Sequence, residues 1–99
     1  MSAWFVYVVR CADDSLYTGI TTDIDRRIQE HNRATGKGAK YTRQRQPVVL
    51  VYSEQIDSRA AATRRELVIK RLSRAEKIRL VSQTSKETLN NSEVPVVLE

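Results

Sequence analysis

Between Trp4 and His31 the chain has almost no spare length: it reads WFVYVVRCADDSLYTGITTDIDRRIQEH. Trp4 to Arg10 is aromatic and β-branched, which predicts a strand buried on both faces. Ala12, Asp13, Asp14 and Ser15 have turn chemistry, and Leu16 to Thr21 resumes strand chemistry, so a hairpin is expected. Thr22 or Asp23 then caps a helix with Asp25 in its first turn. Ile24, Ile28 and His31 recur at helical spacing and mark its inward face. A hairpin running directly into an amphipathic helix limits which side chains can meet. Tyr7 and Tyr17 lie on paired strands and can share a face. Arg27 projects from the edge of the helix's buried stripe, with Arg26 and Glu30 pointing outward. A charge on an inward edge needs a partner or a chemical role.

After the helix, Asn32 to Pro47 reads as a loop with Gly36, Gly38 and the cations Arg33, Lys37, Lys40, Arg43 and Arg45, among which Tyr41 is interleaved. Val48 to Ser53 follows Pro47 as a third strand. Ser58 caps a further helix expected to run to Leu72, with Ala62, Glu66 and Ile69 on one side. Ser73 and Glu76 form a capping box for a last, short helix ending near Val81. From Gln83 the chain is polar, acidic and weakly periodic, which predicts a disordered tail. The expected organisation is a single α+β domain over 1–82 and a tail over 83–99, with a three-stranded antiparallel sheet flanked by about three helices.

Composition narrows the function classes. No apolar run approaches the ~20 residues of a membrane span, and the N-terminus lacks the pattern of a signal peptide, so a cytoplasmic location is expected. Cys11 and His31 are single residues of their kind, which excludes an internal disulfide and a multi-cysteine metal site. Carboxylates are then the candidate ligands for any metal, and they suit Mg²⁺ or Mn²⁺ better than zinc. The net charge is +5, but Lys86 stands against Glu87, Glu93 and Glu99 in the tail, so residues 1–83 carry +7. That surplus points to a polyanion, with plain solubility as the alternative.

Cutting a phosphodiester requires a base for water, a cation for the developing charge and a carboxylate for a metal. Each has a candidate here. Each candidate also has a structural reading: strand tyrosines are commonly core residues with a wet hydroxyl, His31 suits a packed or capping role, and Arg27 and Glu66 can pair across a helix interface.

The series Tyr7, Tyr17, Gly19, Arg27, His31 and Glu66 resembles the GIY-YIG nuclease superfamily, in particular its small stand-alone bacterial branch. Phe5, Val6 and Tyr7 stand where that family has Gly-Ile-Tyr, and Tyr17, Thr18 and Gly19 where it has Tyr-Ile-Gly. Glu66, followed by Leu67, Val68, Ile69 and Lys70, resembles the family's metal-binding glutamate with its trailing apolar-lysine signature. The chain departs from the family in one respect that bears on catalysis: Glu76, Lys77, Ile78 and Arg79 occupy the neighbourhood where members often carry an asparagine.

The resemblance implies a metal-dependent endonuclease acting on DNA, structured or damaged as in repair, with little sequence specificity. DNA against RNA stays open, and no obligate protein partner is evident. It implies that Tyr7 or Tyr17 helps deprotonate the attacking water, that His31 passes the proton on, and that Arg27 holds phosphate oxygens. Glu66 would carry one Mg²⁺ or Mn²⁺. Lys37, Lys40, Arg43 and Arg45 would contact the nucleic-acid backbone. A non-catalytic nucleic-acid-binding module of the same fold, and an interaction domain for a protein partner, are the alternatives.

Overall fold

The computed structural model describes the backbone over residues 3–33 and 40–91, and side chains over 3–33 and 41–82. Its elements are β1 (Trp4–Arg10), β2 (Leu16–Thr21), α1 (Ile24–His31), α2 (Lys40–Arg43), β3 (Val49–Ile56), α3 (Arg59–Lys70) and α4 (Arg74–Asn91). The strands form one antiparallel sheet in the order β2-β1-β3.

β1 is central, and its sequence shows it. Val6, Tyr7, Val8 and Val9 are each at most 1% exposed, because helices cover both faces of the strand and other strands cover both edges. Strand alternation then sorts the core into two layers. Val6 and Val8 face Tyr52, Ala62 and Ile69, with Leu80 and Val81 of α4 packed behind them. Tyr7 and Val9 face the other way, with Cys11 and Val48, and meet Tyr17 and Ile28. The β1–β3 ladder shifts register between Val8 and Val9, where Tyr52 pairs with Val8 and Leu50 with Val9. The extra residue, Val51, packs with the first layer.

The turns and caps follow local chemistry. The Asp13 carboxylate accepts from the Ser15 amide and hydroxyl at 3.1 and 2.5 Å. Asp14 takes φ 68°, a left-handed conformation that aspartate tolerates better than most residues. Asp23 caps α1 by accepting from the Arg26 amide, and Ser58 caps α3 by accepting from the Ala61 amide. At the start of α4 the Ser73 amide donates to Glu76 at 2.8 Å and the Glu76 amide donates to the Ser73 hydroxyl at 3.2 Å. That reciprocal pair is the expected capping box. Asn32, just past α1, fastens the helix to the sheet. Its amide donates to the Val48 carbonyl at 3.1 Å and its carbonyl accepts from the Val48 amide at 2.7 Å.

Three elements differ from the sequence reading. The segment read wholly as a loop contains α2, a single turn that buries Thr42 completely. β3 extends to Ile56, because Glu54 and Gln55 sit on an edge strand, where polar residues cost little, and still pair with Val6 and Phe5. The described helices number four, with α2 a single turn, beside the expected three-stranded antiparallel sheet flanked by about three helices. Helix α4 continues to Asn91, through a stretch with no proline or glycine to stop it. The segment read as tail is therefore helical as far as Asn91, and residues 92–99 lie outside the described residues. Among the described residues, no helix is long and apolar enough to cross a membrane.

The Thr18 hydroxyl is the one buried side-chain polar atom without a hydrogen-bond partner among the described residues. The residue is 2% exposed and lies in the apolar layer across from Val8. Valine has the same shape without the hydroxyl. Thr18→Val should therefore raise unfolding free energy by about 1 kcal/mol, measured by urea denaturation. Destabilisation would show that the hydroxyl is satisfied by bound water.

Candidate active site

The site is built around one hydroxyl. β1 places Tyr7 at the sheet's centre, and β2 places Gly19 directly across from it. A Cβ on Gly19 would stand 2.5 Å from Tyr7 Oη and 2.7 Å from Cζ. Only glycine lets the tyrosine ring lie down against its neighbouring strand. The same register pairs Tyr17 with Val9, so Tyr17 sits diagonally from Tyr7 on the same face.

α1 closes over this face and ends in His31, which is fully buried. Its Nε2 lies 2.8 Å from the Tyr7 hydroxyl and its Nδ1 lies 2.7 Å from Thr42 Oγ1. Both tyrosine rings meet the imidazole edge-on, with centroids 5.8 Å (Tyr7) and 5.5 Å (Tyr17) away. Tyr17 also stacks on Tyr41 at 5.8 Å, and the Lys70 ammonium stands 5.9 Å from the Tyr17 ring centre.

Arg27, one turn before His31, donates to Glu30 at 2.9 Å, and its charge acts on the Tyr7 hydroxyl. Glu30 is thus drawn inward, against the expectation that it points to solvent: its side chain is only 23% exposed. α3 holds Glu66 partly covered, with its carboxylate 3.3 Å from the Lys70 ammonium. The described ion pairs take Arg27 to Glu30 and Glu66 to Lys70.

The electrostatics follow from burial. Burial pushes the Tyr7 hydroxyl up to about 12; Arg27 opposes this, while Tyr17 and Glu66 add to it. Burial also pulls His31 down to about 4, helped by the charge of Arg27. For Arg27, burial works against the charge, but hydrogen bonds with Glu30 and Tyr7 outweigh it and hold the guanidinium more firmly protonated than usual. At neutral pH the pair is therefore a protonated tyrosine beside a neutral histidine, with a fixed cation alongside. That combination can hold an anion at the guanidinium and move a proton between oxygen and nitrogen.

Among the described residues, no three of His, Cys, Asp and Glu gather closely enough to cage a metal ion. Glu66 is a single carboxylate at the edge of the cluster. Mg²⁺ often takes only one or two protein carboxylates and completes its shell with water and substrate phosphate, so this donor set fits such an ion.

The structure thus brings Tyr7, Tyr17, Arg27 and His31 together, with Glu66 close enough for its charge to act on Tyr7. The basic group is more dispersed. Arg45 is engaged by the Asp13 carboxylate at 3.0 Å, by the Tyr41 carbonyl at 2.7 Å and by the Tyr41 ring at 4.0 Å. Arg43 is exposed. Lys37 and the Lys40 side chain lie outside the described residues. Thr42 and Tyr41 complete the site, and sequence reasoning names neither of them as a site residue. The only signal for them is an aromatic and a hydroxyl residue set among loop cations.

Comparison with known proteins places the chain. Residues 3–79 match the family model described as the GIY-YIG catalytic domain. A UPF0213 protein of Desulfotalea psychrophila is 57% identical over 85% of this chain and 76% of its own length. One from Staphylococcus haemolyticus is 51% identical over 84% of this chain and 99% of its own. Among solved structures, the solution structure of a UPF0213 protein from Bacillus halodurans superposes with a TM-score of 0.56 at 44% identity, covering 96% of this chain and 99% of that one. A protein of E. faecalis superposes with a TM-score of 0.54 at 32% identity, covering 98% and 96%.

His31 is the only histidine, so its effect on stability can be isolated. Its folded pKa, near 4, lies below the ordinary 6.5, so the unfolded chain binds the proton more readily. Stability is then fully present above about pH 6.5 and falls as pH drops toward 4, by about 3 kcal/mol in all. Denaturation series from pH 7 to pH 4.5 should show this slope in wild type and a flatter one in His31→Gln. Equal slopes would contradict the burial of a neutral imidazole.

Proposed function

Because the chain belongs to the GIY-YIG catalytic-domain family, we propose that it is a divalent-metal-dependent endonuclease that hydrolyses phosphodiester bonds in DNA, structured or damaged, with little sequence specificity. The observation that carries this reading is the company of the Tyr7 hydroxyl. A neutral imidazole, a permanent cation, a second phenol and a carboxylate all act on one buried oxygen.

In this reading the backbone phosphate binds at Arg27, whose guanidinium exchanges part of its contact with Glu30 for the non-bridging oxygens. The charge that builds on those oxygens strengthens the interaction as the bond breaks. Tyr17, half-buried beside His31, lines the entrance to the cluster and orients water toward the phosphorus. Tyr7 takes the water's proton as its own passes to His31. A bound phosphodiester carries a negative charge, and that charge favours the imidazolium and so raises the readiness of His31 to accept. Glu66 would hold one Mg²⁺ or Mn²⁺, which when bound would stabilise negative charge on the leaving oxygen. The net charge of +7 over residues 1–83 supports association with nucleic acid, RNA included, through phosphate contacts. Arg43 is an exposed candidate for such contacts, with Lys37 and Lys40 beside it in sequence.

A second reading is a nucleic-acid-binding module of the same fold that does not cut. It draws on the low proton affinity of His31 at rest and on the absence of asparagine among residues 76–79. Metal-dependent cleavage separates the two. Under the nuclease reading, Arg27→Ala and Glu66→Gln should each lower the cleavage rate on branched DNA by ~10²-fold or more, while binding falls only modestly. Cleavage undiminished in Glu66→Gln, or indifferent to divalent metal, would remove the role given to Glu66. Absence of cleavage by wild type on branched, nicked and single-stranded DNA would favour the binding module.

A further inference from the structure

The hydrogen bonds around His31 identify which of its nitrogens carries the proton. Arginine has only donors to offer, so the guanidinium that acts on Tyr7 cannot receive the phenolic hydrogen. Tyr7 is 1% exposed, and its own hydrogen must go to an acceptor or be left buried and unpaired, at substantial cost. His31 Nε2, at 2.8 Å, is the hydrogen-bonding partner described for that hydroxyl. Nε2 must then be the unprotonated nitrogen of the neutral ring. The hydrogen sits on Nδ1, which lies 2.7 Å from Thr42 Oγ1 in a fully buried contact. This tautomer is the reverse of the one that imidazole side chains prefer in water, so something in the fold has to select it.

We propose that Thr42 is a positioning residue: its hydroxyl oxygen accepts the Nδ1–H of His31 and fixes the tautomer in which Nε2 faces Tyr7 with a free lone pair. The tautomer assignment is argued from the 2.8 and 2.7 Å contacts of the imidazole. Its catalytic use rests on the nuclease reading above. In that use the Tyr7 O–H bond breaks and its proton forms the Nε2–H bond. The electron pair left on the Tyr7 oxygen takes a proton from water; the water oxygen bonds to phosphorus as the ester P–O bond breaks, and the leaving oxygen keeps that bond's electron pair and is protonated by solvent. Tyr7 ends protonated and His31 ends as the imidazolium. With the hydrogen on Nε2 instead, the lone pair would point at Thr42 and the first transfer could not begin. The single turn α2 therefore has a defined role, because it carries a buried hydroxyl to the far side of the imidazole.

A single histidine makes the test direct. Long-range ¹H–¹⁵N correlation spectra of the labelled full chain at neutral pH report which ring nitrogen of His31 is protonated. Wild type should show the proton on Nδ1, and Thr42→Ser should keep it there. Thr42→Val, which has the same shape without the hydroxyl, should move the population to the Nε2–H form. In a cleavage assay Thr42→Val should be slower by about tenfold or more, with Thr42→Ser restoring most of the rate. An Nε2–H tautomer in wild type would overturn the proposal without any variant. An unmoved Nδ1–H signal in folded Thr42→Val would overturn it as well. Wild type that shows Nδ1–H yet cuts no DNA would support the tautomer and remove the nuclease reading, so the two can fail separately.

Discussion

A phenolic hydroxyl buried in the middle of a β-sheet has to be satisfied, and most of this structure follows from how Tyr7 is satisfied. The ring fits only because Gly19 offers no Cβ. The oxygen is hydrogen-bonded to an imidazole and feels the charge of a guanidinium, both delivered by α1. The imidazole in turn needs Thr42, so the cationic segment between α1 and β3 has to form a helical turn and fold under the site. Removing any one of these groups leaves a buried polar atom exposed to the low dielectric of the interior, where unpaired groups are expensive. The hydrogen-bonded chain therefore contributes to folding, and under the proposed function it contributes to chemistry as well.

The same interior sets a tension. Burial makes Tyr7 a poor acid and His31 a poor base, which keeps the proton in place while the site is empty. Under the proposed function an incoming phosphate changes both terms, because its charge favours the imidazolium and because Arg27 has a new anion to hold. In this account the reactive state is assembled by substrate, and the resting protein is protected from idle proton transfer.

Much of the architecture is legible in the sequence, and the reasons are physical. Strand alternation places Tyr7 and Tyr17 on one face, and helical spacing brings His31 inward. The cap residues Asp23, Ser58 and Ser73 are identifiable because their side chains act within three residues of themselves. The less legible parts depend on distant partners. Glu30 looks solvent-facing because its spacing puts it off the apolar stripe, yet Arg27 draws it in. Thr42 looks like one loop residue among cations, because nothing local reveals a hydroxyl buried against a histidine eleven positions earlier. Arg45 looks free to meet phosphate, and Asp13 claims it from 32 positions away. The length of α4 is hidden because polarity is not a stop signal, whereas a helix ends on caps and breakers.

The central claim is that the Tyr7 hydroxyl takes part in hydrolysis of the phosphodiester. Tyr7→Phe removes that oxygen and keeps the ring against Gly19. Its cleavage of branched DNA with Mg²⁺ or Mn²⁺, measured beside wild type and a thermal melt, is the most direct test. The account predicts a folded protein that still binds DNA and cuts at least ~10²-fold more slowly. Wild-type cleavage rates in folded Tyr7→Phe would contradict it.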